Sequence, residues 1–317
     1  MKNTARQQEA MRSSRLGVEV EMNSISRKAA AKLAADFFGT HHYEYTAARN
    51  GYKTWSAWDA DGREWKFSRD VSIKGPDDER CELGTPILTY DDIPMLQELI
   101  RKLRAAGARS DATRGCGVHC HIDAQGHTAQ TLRNLVNIMA SHEALLIKAL
   151  ALDSNRVGTY CKVVDPTFLK EVNEKKPTTM RELANIWYST QRDSSHTRRD
   201  HYHSSRYRQV NLHATFTRGT IEFRLFQFDA PADGKRNGLN AGQLKAYIQL
   251  CLALSQMAKD VKSASPKPQQ TENPKYAMRT WLLRLGFIGE EFATARDVLT
   301  RRLDGDGAFR HTTRPDA

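Results

Sequence analysis

Residues 16–22 read "LGVEVEM", with Glu19 and Glu21 two positions apart in an otherwise apolar run. A β-strand turns successive side chains to opposite faces, so both carboxylates leave the same face of a sheet. Two like charges side by side on a half-buried face repel each other and lose hydration. The stretch therefore predicts a strand, and it asks for a positive partner on the carboxylate side.

Working outward, a polar N-terminal arm, residues 1–15, precedes this strand at about 16–23. It lacks the apolar stretch of a signal peptide. Ser24 or Ser26 is placed to cap a helix in "SRKAAAKLAADFF", which Gly39 ends. The next stretch, 41–73, is rich in aromatic and β-branched residues. Asn50-Gly51 and Asp61-Gly62 are hairpin turns within it, which predicts three short antiparallel strands. "RCELGTPIL" is a further strand that Pro86 ends or bends. "DDIPMLQELIRKLRAAG" is an amphipathic helix closed by Gly107. "GVHCHIDA" is the next strand, followed by a long helix at about 127–151 and two weaker helices within 166–188.

The stretch 189–209 has almost no apolar content and reads as an exposed loop. "VNLHATFTRGTIEFRLFQF" reads as a hairpin whose turn holds Gly219. A helix at about 237–261 closes the unit. This gives an α+β domain over 16–262, a polar proline-bearing linker over 263–275, and a small helical tail with a disordered end over 276–317.

The 317 residues are 39% apolar, with a mean hydropathy of -0.63, as expected of a soluble globular chain with ample length for a core. No run reaches the ~20 apolar residues that span a bilayer. The five cysteines, Cys81, Cys116, Cys120, Cys161 and Cys251, are an odd and scattered set that suits a reducing compartment, and the expected location is cytoplasmic. The net charge of +11 and a pI near 9.5 predict affinity for anions, whether nucleic acid, a phosphorylated small molecule or an acidic peptide.

Polar side chains recur where core strands place aliphatics. His119 and His121 share one face of "GVHCHID" while Cys120 takes the other. Glu222 and Arg224 share a face in "TIEFRLF", Asp70 and Ser72 in "SRDVSI", and Glu82 stands alone in "CELGTPIL". Each has a plain structural reading: the solvent face of an edge strand, a pair of packing histidines, a cross-strand ion pair. Together they describe an acidic, imidazole-bearing face that is costly to bury without a cation between its members. Carboxylate oxygens with an imidazole suit Mg²⁺ or Mn²⁺. Zinc is the rival, through Cys116, His119, Cys120 and His121, but Cys120 points away from both histidines on a strand and the spacing matches no finger pattern. Arg224, and Arg206 and Arg208 in "SRYRQVN", offer forked donors for phosphate or carboxylate. With metal and carboxylates they outline a phosphoryl-transfer site. There is no GxxxxGK[ST] loop and no GxGxxG after a strand.

"GVEVEM", "DVSI…CELGTPIL", "GCGVHCHID", "RVGTYCK" and "RYRQVNL…GTIEFRLF", in this order over about residues 16–255, resemble the amidoligases of the glutamine synthetase superfamily. The resemblance implies a glutamine synthetase-like catalytic domain with a curved antiparallel sheet flanked by helices. It implies an ATP- and Mg²⁺-dependent ligase that phosphorylates a carboxylate and lets an amine displace the phosphate.

Position by position, it implies metal ligation by Glu19, Glu21, Glu82, His119 and Glu222. It places His121 nearer the nucleotide phosphates and Arg224 on the transferring phosphoryl group. Arg206 and Asn211 fall in a nucleotide- and substrate-contacting segment, and Arg156 sits where such proteins carry an arginine. The 189–209 loop is then a lid or simply a solvated basic loop.

Two other classes stay open: a basic nucleic-acid-binding protein, favoured by "HTRRDHYHSSRYR", and a metal-dependent hydrolase or phosphotransferase with the same ligands. The implied partners are a carboxylate and an amine, borne by a peptide, a cell-wall component or a modified nucleobase. No membrane partner is expected.

Overall fold

A computed structural model describes residues 2–46, 52–191, 193, 195–230, 238–268 and 271–309. In chain order the elements are α1 (Lys2–Arg12), β1 (Leu16–Met22), α2 (Arg27–Phe38), β2 (Tyr43–Tyr45), β3 (Trp55–Trp58), β4 (Glu64–Ser68), β5 (Cys81–Gly84), α3 (Ile93–Ala105) and β6 (Val118–Asp123). Next come α4 (Ala129–Ala149), α5 (Ser154–Thr159), α6 (Pro166–Lys175), α7 (Met180–Thr190), β7 (Val210–Asn211), α8 (His213–Arg218) and β8 (Thr220–Phe226). The last helices are α9 (Ala241–Asp260), α10 (Pro274–Arg284) and α11 (Ala293–Thr300). The chain divides into two units: a sheet-rich one, Arg15–His121 with Phe226–Lys245, and a helical one, Met1–Ser14, Ile122–Leu225 and Ala246–Ala317.

In the sheet-rich unit the strand order is β2-β3-β4-β5-β1-β6, and the ladders from β2 to β1 are antiparallel. The opening strand behaves as its alternation dictates. Leu16, Val18, Val20 and Met22 are 3% exposed or less, whereas Glu19 on the other face is half-buried. Ser26 caps α2 by accepting from Ala29 N–H, and Gly39 ends it in the left-handed conformation. The alanine face of α2 (Ala30, Ala31, Ala34, Ala35) is small enough to lie close on β3 and β4. α3 turns Leu96, Leu99, Ile100 and Leu103 inward. Between β3 and β4, Asp59 anchors the turn. Its Oδ2 accepts from Trp65 Nε1 at 2.9 Å and Arg63 Nε at 2.8 Å, and Arg63 reaches both oxygens of Asp92.

In the helical unit α4 packs on α6, α7 and α11, and α10 packs on α11. α4 opens with a capping box at Thr128. β7 and β8 pair antiparallel, Val210 with Phe223 and Asn211 with Glu222. All five cysteines are buried free thiols. No helix among the described residues is long and apolar enough to cross a membrane.

Four local expectations need adjusting. The segment joining β7 to β8 is the helix α8, with Gly219 as its left-handed cap, in place of a hairpin turn. Asp70 and Ser72 are not on a strand: β4 ends at Ser68, and Asp70 Oδ1 accepts from both N–H and Oγ–H of Ser72, closing a local turn. The polar arm contains a helix, α1, whose Met11 is buried. The 189–209 loop is not wholly exposed, since Gln191, His203, Ser205 and Gln209 are buried. The Asn50-Gly51 turn and the end of the tail, for which disorder is expected, lie outside the described residues.

Candidate metal centre and arginine cluster

β1 lies between β5 and β6, so three strands of the sheet-rich unit deliver polar side chains to one face. Antiparallel register sets Glu21 directly opposite Glu82. Directly opposed like charges destabilise a ladder. Three groups surround them. Gly117 N–H donates to Glu21 Oε2 at 2.6 Å, and His119 Nε2 lies 3.8 Å from Glu21 Oε1. Ser110 Oγ–H holds the backbone carbonyl of Glu21 at 2.6 Å. Ligand atoms of Glu21, Glu82 and His119 all lie within 4.8 Å of one another.

Glu19 sits one pleat along. His119 Nδ1 is 2.9 Å from its Oε2, and His121 Nε2 is 3.4 Å from its Oε1. Burial pushes the Glu19 carboxyl up, but the charge of His121 and hydrogen bonds from His119 and His121 outweigh this and hold it well below the ordinary carboxylate range. Glu19 therefore stays an anion, and its hydrogen bond orients the His119 ring.

The donor set fits a divalent cation. The ligand atoms of Glu21, Glu82 and His119 all lie within 4.8 Å of one another, and cis ligands of an octahedral Mg²⁺ at ~2.1 Å bonds stand about 3 Å apart, so side-chain rotation would have to draw them closer around one ion. Carboxylate oxygens favour Mg²⁺ or Mn²⁺, and one imidazole is compatible with either. Cys120, alternating with His119 and His121, is buried on the opposite face of β6.

Glu222, Arg224, Arg206, Asn211 and Arg156 belong to the helical unit. There Arg224 Nη1 donates to Glu222 Oε1, and Asn211 Nδ2 donates to Glu222 Oε2 at 2.7 Å, as the register of β7 on β8 requires. Glu222 and Arg224 are both buried. The Tyr207 ring has the guanidinium of Arg206 and that of Arg224 each 5.8 Å from its centroid, with Tyr160 edge-on to it. Arg156 is buried in α5, which Asp153 caps by accepting from Arg156 N–H. Beside it, burial raises the Cys161 thiol despite the charges of Arg156 and Arg224. That argues against a nucleophilic role for this cysteine.

Sequence reasoning overlooked the backbone N–H of Gly117 that holds Glu21, and the Tyr207 ring between two arginines. The first leaves no side-chain signal. Of the second, only Arg206 beside Tyr207 was visible in the sequence, since Arg224 comes from β8 and Arg208 turns instead to Asp165.

The family model described as "putative amidoligase enzyme" matches residues 12–255, and the chain belongs to this family. No curated protein matches it. Among solved structures, the crystal structure of a bifunctional glutathione synthetase from Pasteurella multocida is similar with a TM-score of 0.42 and 12% identity. That likeness covers 94% of this chain and 48% of the other, so the chain spans about half its length.

Proposed function

We propose that the protein is an ATP-dependent carboxylate–amine ligase of glutamine synthetase-like architecture, forming an amide or peptide-like bond through an acyl phosphate. The observation that carries this reading is the Glu21–Glu82–His119 cluster on adjacent strands of a member of the amidoligase family. A carboxylate pair set opposite one another, with one imidazole beside it, is a donor set suited to a divalent cation.

In this reading Glu19, Glu21, Glu82 and His119 hold Mg²⁺ or Mn²⁺. The family pattern adds Glu222 as a further ligand. The bound ion supplies charge neutralisation for the ATP phosphates. Glu19 keeps the His119 ring oriented and the Gly117 N–H fixes Glu21. By the same pattern His121, Arg206 and Asn211 contact the nucleotide, and Arg224, positioned by Glu222, neutralises the γ-phosphoryl group as the substrate carboxylate attacks it. An amine then displaces phosphate from the acyl phosphate, in a site that must exclude water to avoid hydrolysis.

The test is calorimetric titration of ATP with and without Mg²⁺ on the wild type and on a folded Glu21→Gln/Glu82→Gln variant. Mg²⁺-dependent binding that the variant loses supports the reading. ADP release that requires both an acid and an amine then separates a ligase from a hydrolase. Equal behaviour of the two proteins removes the metal–nucleotide role of the cluster.

A further inference from the structure

Several arginines of the protein are matched by carboxylates: Arg63 by Asp59 and Asp92, Arg69 by Asp77, Arg114 by Asp111, Arg208 by Asp165. In the helical unit Arg198, Arg199, Arg206 and Arg218 have no carboxylate partner among the described residues. The acids of the same stretch are otherwise engaged. Asp193 accepts from the N–H groups of Ser195, His196 and Ser204, and Asp200 from that of Thr197. These two carboxylates shape the chain and leave the arginines' charge in place.

Two of those guanidiniums converge on one imidazole. Arg206 Nη1 lies 2.9 Å from His201 Nε2, and Arg218 Nη2 lies 2.6 Å from His201 Nδ1. A neutral imidazole accepts at one nitrogen and donates at the other, so it satisfies one guanidinium and opposes the second. Neither Arg206 nor Arg218 has a carboxylate among the described residues to offset its charge. Next to it Tyr202 is 46% exposed, with the Arg206 guanidinium 5.7 Å from its ring centroid and His201 edge-on at 4.8 Å.

We propose that Arg199, His201, Tyr202, Arg206 and Arg218 form a binding surface for single-stranded nucleic acid, in which a backbone phosphate is received between Arg206, His201 and Arg218 and a base stacks on Tyr202. Guanidinium forks match phosphate, and an exposed ring beside them offers a stacking platform that any base can use. Arg199, His201, Tyr202 and Arg218 are all exposed, spread along a surface rather than gathered in a pocket, which suits a strand-like polyanion. A duplex hides its base faces, so single strands are the better fit to Tyr202. This activity does not depend on the ligase reading.

The test is fluorescence anisotropy of the full chain with labelled oligothymidylate and oligouridylate of about 12 nucleotides across a salt series. Arg199→Gln/Arg218→Gln is expected to weaken binding about tenfold and to lower the salt slope by about 1.4, roughly 0.7 for each phosphate left unneutralised. Tyr202→Ala is expected to weaken it roughly 5- to 100-fold, and Tyr202→Phe to leave it near wild type. A matched charge removal elsewhere on the unit, Lys170→Gln/Lys267→Gln, is expected to change little. The proposal is overturned if that control pair weakens binding as much as the arginine pair, or if Tyr202→Ala binds as the wild type does. It is equally overturned if polyglutamate of the same length competes as well as the oligonucleotide, which would make this an acidic-peptide surface.

Discussion

Glu82 is the residue whose neighbour states its role most directly, because register sets it opposite Glu21. Without a cation, removing one of the two charges relieves repulsion worth about 0.5–1 kcal/mol. Glu82→Gln is therefore expected to raise the thermal midpoint of metal-free protein by about 1–3 °C and to abolish its further rise on adding Mg²⁺. Differential scanning calorimetry with EDTA or Mg²⁺ checks both, and a variant less stable than the wild type in EDTA would count against a cation-binding pair. Glu82 stood alone and was named a metal ligand only through the family resemblance. That Glu19 and Glu21 share a face, as His119 and His121 do, was legible in the sequence because the period of two is itself a statement about faces. The opposition of Glu21 to Glu82 was not, because register depends on which strands pair and nothing local encodes that.

At the scale of elements, caps and turns with strong local chemistry were readable: Ser26 and Gly39 bound α2, and Gly62 turns β3 into β4. The β7–β8 connection was not, since "HATFTR" carries β-branched and aromatic residues that suit a strand, while its context winds it into α8. The turn before β6 supports the strand that carries Gly117 and His119 to Glu21. Gly115 has φ +73°, and a Cβ there would lie 2.5 Å from the Ser72 carbonyl oxygen. Gly115→Ala should therefore cost at least about 1–2 kcal/mol in chemical denaturation and displace Gly117 and His119. Asp59→Ala should cost about 2 kcal/mol, because it leaves the buried Trp65 N–H without its acceptor and takes the partner from Arg63 Nε, while Asp92 still holds the far end of the guanidinium. Unchanged denaturation midpoints would show that these turns relax freely.

For the molecule as a whole, several histidines are kept neutral by burial. His127, between Thr131 and Ser255, is pushed down to about 3 by desolvation, with Lys259 adding to it. Burial likewise lowers His142, His203 and His213. Below the ordinary 6.5 the unfolded chain binds protons that the folded chain refuses. Stability is thus full above pH 6.5 and falls as pH drops toward 3, by about 2 kcal/mol at pH 5 from His127 alone. His127→Gln is expected to flatten this slope in urea unfolding series, and a slope identical to wild type would assign it elsewhere. The positive charge of the chain was plain from composition. Its density along residues 196–208 was also plain, but which of those arginines lack acids was not, because that depends on where Asp193 and Asp200 turn.

The five buried thiols carry a practical consequence. Burial raises Cys81 to about 12 and lifts Cys161 as well, so neither is a ready thiolate at neutral pH. Native protein is in effect silent to maleimides, and a single cysteine introduced at exposed Val71 would take a spectroscopic label alone, with no need to engineer away the natural five.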